Sequence, residues 1–167
     1  MTDEDKQHTP MMTQYLGIKA EFPDHGIIGE EYGGLGLSNG AYARVLAQSS
    51  SHDSATSVTV GAHSSIGLKG LILFGTPAQK QQYLPRLASG EMIGAIAMTE
   101  PAAGSDLQGV RTTAVKDGDH YLLNGSKIFI TNGYLSDLVI VVAKTDPAKG
   151  AKGTSLLVVD TSMDGFS

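Results

Sequence analysis

The sequence predicts an α+β protein with helices first and strands after, and three observations carry that prediction. Helical spacing with helix caps occupies residues 38–90. Apolar–polar alternation punctuated by tight-turn signals fills the stretch from about residue 92. A Ser89-Gly90 stop separates the two textures, which puts the boundary near Glu91. We therefore expect residues 1–91 to form a helical, bundle-like N-terminal domain, incomplete at its start. Residues 92–167 should form an antiparallel, β-barrel-like middle domain, truncated at its end.

The first helix should begin at Ser38 or Asn39 and place Ala41, Tyr42, Val45 and Leu46 on one face. Residues 51–57 are rich in Ser and Thr and read equally as a break or as helix. In residues 63–74, Ile66, Leu68, Leu71, Ile72 and Phe74 should point mostly inward. Gly75-Thr76-Pro77 is a stop followed by a start, with Thr76 as cap and Pro77 in the first turn of a helix carrying Tyr83, Leu84 and Leu87. Pro85 within it suggests a bend.

Residues 92–98, a short apolar run, open the strand half. Residues 111–115 alternate into Lys116-Asp117-Gly118-Asp119, a hairpin turn, and residues 121–123 follow. Asn124-Gly125 should then reverse the chain into a strand over 127–131. Residues 138–143 and 155–159 read as two more strands around an exposed loop at 146–153. One-sided apolar strands need something to pack on. Ser167 follows the last strand closely, so the chain reads as cut.

Composition removes several functional classes. Hydrophobic residues make up 41%, enough for a packed core, and only 17% are charged, so part of the surface should be covered. The net charge of -5 and the lack of any Lys/Arg run argue against nucleic acid. There are no cysteines, which excludes disulfides, thiolate metal sites and thiol nucleophiles. The start carries Asp3, Glu4 and Asp5, unlike a basic signal or organelle presequence. The apolar run 58–74 is interrupted by His63 and Lys69 and reads as a buried helix of a soluble protein.

Most conventional motifs fail. Gly33-Gly34-Leu35-Gly36-Leu37-Ser38-Asn39 lacks the Lys-Ser/Thr of a phosphate loop and the third glycine of a dinucleotide fingerprint, so it reads as a turn into a capped helix. His8, His25, His52, His63 and His120 show no metal spacing. No Gly-x-Ser-x-Gly elbow is present.

Two segments stand apart. In Ile96-Ala97-Met98-Thr99-Glu100-Pro101-Ala102-Ala103-Gly104-Ser105-Asp106, a strand delivers a hydroxyl at its exit. Small residues and backbone N–H groups follow and could cradle an anion. In Asn124-Gly125-Ser126-Lys127-Ile128-Phe129-Ile130-Thr131-Asn132-Gly133, strand alternation would set Phe129 and Thr131 on one side. An aromatic face and a hydroxyl would then meet a flat heteroaromatic ring; taken alone, Phe129 belongs in a core.

Together these segments resemble the acyl-CoA dehydrogenases, which show a Met/Leu-Thr-Glu-Pro-x-x-Gly-Ser-Asp stretch and, some twenty-odd residues later, Asn-Gly-x-Lys-x-Trp/Phe-Ile-Ser/Thr-Asn-Gly. Glu30-Glu31-Tyr32-Gly33-Gly34-Leu35-Gly36 and Phe74-Gly75-Thr76-Pro77-Ala78-Gln79-Lys80-Gln81-Gln82-Tyr83-Leu84-Pro85 look like the helical half of that family. The likeness runs from about Phe22 onward and leans toward the long-chain and very-long-chain members.

The resemblance implies FAD, held by Ile96, Ala97, Met98, Thr99, Gly104, Ser105, Phe129, Ile130 and Thr131. Thr99 would meet the flavin pyrimidine edge, Ser105 the pyrophosphate and the CoA portion of the substrate, Phe129 the ring, and Thr131 flavin N5. It implies α,β-dehydrogenation of a fatty acyl-CoA, electrons passing to electron-transfer flavoprotein, and a homo-oligomer (dimer or tetramer), in the mitochondrial matrix or bacterial cytoplasm. The proton-abstracting Glu would come from a C-terminal helical bundle that these residues do not include; Glu30, Glu31 and Glu100 do not take its place. By the same resemblance the 167 residues alone should be inactive and bind FAD weakly. An acyl-CoA oxidase of the same fold and a non-catalytic assembly relative are the alternatives.

Overall fold

In the computed structural model, residues 27–167 are described. The expectations on the acidic start, His8, His25 and Phe22 fall outside them.

Helix α1 spans Asn39–Ser50 and is capped by Ser38, whose side chain accepts from the Ala41 amide. Tyr42 is its one fully buried residue, while Val45 is 52% exposed, so the expected apolar face is only partly used. The ambiguous Ser/Thr stretch resolves into a break at 51–53 and a new helix, α2, Ser54–Gly61. Asp53 caps α2 by accepting from the Ala55 and Thr56 amides.

A π-helical turn, Ala62–Gly67, leads into α3, Leu68–Phe74. Joined, Ser54–Phe74 is a 21-residue helical run that by length and mean hydropathy (1.2) alone could cross a membrane. The buried helix expected here is buried on one side only. Leu68 and Leu71 enter the core, whereas Ile66 and Phe74 are 57% and 66% exposed. Helix α4, Pro77–Ser89, begins with the expected Thr76 cap. Thr76 accepts from the Gln79 amide, the Gln79 side chain accepts from the Thr76 amide, and Pro77 sits in the first turn. Gly90 closes it in the left-handed region (φ 79).

Five strands follow: β1 Gly94–Ala97, β2 Thr113–Asp117, β3 His120–Asn124, β4 Leu138–Lys144 and β5 Thr154–Asp160. β4 is the centre. Along one edge it pairs in parallel with β1, from Gly94↔Leu138 to Ala97↔Val141, and at its end with β2 through Thr113↔Lys144. Its other edge pairs antiparallel with all of β5. β2 and β3 form the expected hairpin, with Asp117↔His120 flanking a two-residue loop. Gly118, the first loop residue, takes φ 59, as a type II′ turn requires.

The sheet is mixed and open, which corrects the antiparallel, barrel-like expectation. A connection from β1 to β4 that carries a hairpin and a long loop has room to return the chain in parallel. The expected strand over 127–131 is absent: residues 125–130 hold no ladder and 131–135 form a turn.

β4 is buried along almost its whole length because both faces of the sheet are used. On one face Leu138 joins Ile28, Leu68, Leu71, Leu84, Leu87 and Met92 in the core between helices and sheet. On the other, Ala95, Ala97, Val139, Val141 and Val159 form a separate apolar cluster. Each fully buried Leu contributes about 1.5–3 kcal/mol relative to exposure.

Candidate functional site

The first singled-out segment leaves β1 at Ala97 and turns at once. The Glu100 amide donates to the Ala103 carbonyl (2.8 Å), and the Ala103 amide donates back to Glu100 (3.1 Å), closing the Pro101-Ala102 turn. Asp106 then accepts from the Gln108 amide and caps a single 3-10 turn, Leu107–Gly109. Between these two turns Gly104 and Ser105 lie exposed, and a Cβ on Gly104 would meet nothing within 4 Å among the described residues beyond its chain neighbours.

The second segment leaves β3 and passes directly over Thr112. A Cβ on Gly125 would lie 2.2 Å from Thr112 Oγ1 and 2.7 Å from its Cα, so only glycine fits. Three residues on, the Ile128 amide donates to the Thr99 carbonyl at 3.0 Å. Phe129 follows with φ 55 and Asn132 with φ 64, the two non-glycine residues in the left-handed region among those described. The period-two argument that put Phe129 and Thr131 on one side therefore fails, because alternation requires extended backbone at both. The Asn132 side chain donates to the Thr59 carbonyl (3.0 Å), tying this turn to α2.

The two segments are thus neighbours, with Phe129 next to the residue that bonds Thr99. Phe129 is no core residue; it is 89% exposed. Thr99 is half-buried, Thr131 and Ser105 are exposed, and Met98 and Ile130 are half-buried. Ile96 shares a face with its register partner Ile140, which faces α3 near Gly70, so Ile96 points to the helices. Nearby hydroxyls of Thr112, Ser136 and Thr161 are committed to protein acceptors. Those of Thr99, Ser105 and Thr131 have no partner among the described residues.

A cleft of ≈ 790 Å³ lies beside this constellation, walled by Val139, Val141 and Val159 of the second apolar cluster. Of the nine residues expected to hold a cofactor, Ala97, Phe129 and Ile130 line it. Thr99, Ser105 and Thr131 do not line it, so the cleft adjoins the expected site without containing its hydroxyls. Among the described residues no cluster of His, Asp or Glu suits a metal ion.

Sequence reasoning missed the chemistry between the segments. Glu100 is buried, and it accepts from the Arg111 amide (2.7 Å), the Thr112 amide (2.9 Å) and the Thr112 hydroxyl. Lys127 Nζ lies 2.8 Å from Glu100 Oε1 and donates also to the Met98 carbonyl at 3.1 Å. Burial pushes the Glu100 carboxyl up, but Lys127, Thr112 and the two amides outweigh it and hold the pKa at about 2. The available signal was one acid and one base, each inside a motif already read as half of the same site.

Comparison with known proteins accords with this arrangement. Residues 24–91 match the N-terminal domain of acyl-CoA dehydrogenase and residues 95–167 its middle domain. The very long-chain specific acyl-CoA dehydrogenase, mitochondrial, of Homo sapiens is 50% identical over 163 residues, covering 93% of this chain and 25% of the relative. Among solved structures, an acyl-CoA dehydrogenase of Geobacillus kaustophilus superposes with a TM-score of 0.78 at 40% identity, over 92% of this chain and 40% of that one. One from Bacillus anthracis, complexed with FAD, gives 0.74 at 39% identity, over 91% and 26%. The chain thus spans about a quarter of the human relative's length. With both halves matched in order, and with the two motif segments side by side in space, this chain belongs to the acyl-CoA dehydrogenase family.

Proposed function

We propose that this chain is the flavin-holding part of an FAD-dependent acyl-CoA dehydrogenase that oxidises a fatty acyl-CoA thioester across its α,β bond. The supporting observation is Phe129, 89% exposed and joined through the Ile128–Thr99 hydrogen bond to the segment that carries Thr99 and Ser105, whose hydroxyls have no partner among the described residues. A large exposed aromatic beside free donors is a surface built for a flat ligand. The nine residues named from the sequence, Ile96 to Thr99, Gly104, Ser105 and Phe129 to Thr131, remain the assignment, with Ile96 offering backbone because its side chain faces the helices.

Bound FAD would supply the hydride acceptor, the flavin N5 atom. The chain's own groups orient it. Thr99 would donate to the pyrimidine edge and Thr131 toward N5, placing hydroxyl donors where the reduced ring gains negative charge. Phe129 would cover the ring, and Ser105 with the open backbone at Gly104 would meet phosphate. The base that removes the α-proton lies outside these residues, in a helical bundle they do not include. Residues 1–91 and 92–167 serve as the helical and sheet domains of that enzyme. The electrons pass to electron-transfer flavoprotein, the whole protein is a homo-oligomer working in fatty acid β-oxidation, and its compartment is the mitochondrial matrix or a bacterial cytoplasm.

The test is titration of FAD against the chain, and against the protein encoded by its full reading frame, with flavin fluorescence as readout. Quenching is expected with both, more weakly for the 167 residues. Absence of quenching with the full-frame protein would overturn the proposal. Oxygen consumption with peroxide release during acyl-CoA turnover would redirect it to an oxidase.

A further inference from the structure

We infer that Lys127 and Glu100 are positioning residues: their buried ion pair sets the spacing between the two segments of the proposed flavin site. The inference rests on the flavin reading for its purpose and on the geometry for its existence.

Glu100 adjoins Thr99, while Lys127 stands two residues before Phe129 and four before Thr131. The segments carrying these groups are joined by no strand ladder. Three hydrogen bonds link them: the Ile128 amide to the Thr99 carbonyl, Lys127 Nζ to the Met98 carbonyl, and Lys127 Nζ to Glu100. Two of the three belong to one ammonium group. What a ladder does elsewhere in the sheet is done here by a side chain.

The pair is a costly choice for that task. The side chains of Lys127 and Glu100 are 10% and 5% exposed. Desolvating two charges largely cancels their attraction, and an apolar pair of similar volume would hold the segments about as firmly. A charged pair is directional where an apolar one is not, and Glu100 is itself anchored. Its carboxylate accepts from the Arg111 and Thr112 amides, which fixes it to the chain entering β2. Lys127 thus registers its own segment against two fixed points, the Met98 carbonyl and the Glu100 carboxylate. No other ionisable side chain bonds either member among the described residues. The absence of a Cβ at Gly125 lets the segment cross Thr112 closely enough for Lys127 to reach.

The test uses amide hydrogen exchange in the chain, with Ile128 as the reporter and residues 139–143 of β4 as internal standard. FAD titration runs in parallel. Lys127→Met strands the carboxylate and risks misfolding, so the double variant Glu100→Gln/Lys127→Met, neutral and close in shape, accompanies it. In the double variant we expect Ile128 protection to fall at least tenfold with β4 protection unchanged, and FAD dissociation to rise about tenfold. Retained protection at Ile128 would overturn the inference, as would a uniform loss at Ile128 and β4 with FAD affinity unchanged in the folded fraction. Failure of the unaltered full-frame protein to bind FAD would instead sink the flavin reading, leaving the exchange result to decide the ion pair's structural part.

Discussion

The Gly94 amide donates to Nδ1 of His63 at 2.9 Å, so the first peptide of β1 hangs from the π-helical turn. The other ring nitrogen lies 3.0 Å from the Leu87 carbonyl. An amide can only donate and a carbonyl only accept, so the ring must carry its proton on Nε2. His63 therefore joins α4, the helical run and the sheet at one point, and serves no metal.

Replacing His63 with Phe keeps the volume and removes both partners. The Gly94 N–H and Leu87 C=O would then lie unpaired, at about 1–3 kcal/mol each if they stay dry. Urea denaturation should show a lower midpoint with an unchanged slope.

Acid should unfold the chain partly through Glu100. Its folded-state pKa, about 2, lies below the ordinary value of 4.5. Such a group stabilises the fold above its unfolded pKa and loses that contribution as pH falls from about 4.5 toward 2. The shift corresponds to about 3 kcal/mol. Glu100→Gln should be less stable than the unaltered chain at pH 7 and should show a flatter acid limb between pH 4.5 and 2, read by circular dichroism.

Gly125→Ala should destabilise more than an ordinary loop substitution. The new methyl would press on both the side chain and the backbone of Thr112, which in turn holds Glu100. A cost of about 1–3 kcal/mol is expected from such overpacking. A thermal midpoint unchanged from the unaltered chain would contradict the close crossing.

Phe129 separates stability from binding. Its left-handed backbone is disfavoured for any residue with a Cβ. Phe129→Gly should therefore be about 1 kcal/mol more stable than Phe129→Ala. Both should weaken FAD binding alike, by up to about tenfold, through loss of ring stacking worth about 0.5–1.5 kcal/mol. Chemical denaturation paired with flavin titration checks both halves.

Local rules carried the sequence reading where they were decisive. Thr76, Pro77 and Gln79 wrote out a helix start, and Gly118 a hairpin, because each depends on residues within one turn. Residues 138–143 read as a strand from their β-branched run, one residue short of β4. Pairing order and closure were not legible, since β1 and β4 meet across some forty residues and no local signal states their direction. The two segments of the proposed flavin site were singled out by residue type, but the strand reading of 127–131 failed. Its apolar alternation resembles a strand, and the tertiary links to Thr99 and Met98 override it. Spacing alone sets Phe74 and Ile66 inward and Val45 on a shared apolar face, but it cannot say whether a neighbour is present to meet them.

β4 ties together neighbours that otherwise share no rung: β5 on one side, β1 and β2 end to end on the other. Take that ribbon out and only the β2–β3 hairpin keeps a partner. The sheet should accordingly melt as one cooperative unit, and a proline at Ile140, in the middle of the ribbon, would dismantle it entirely instead of fraying one margin.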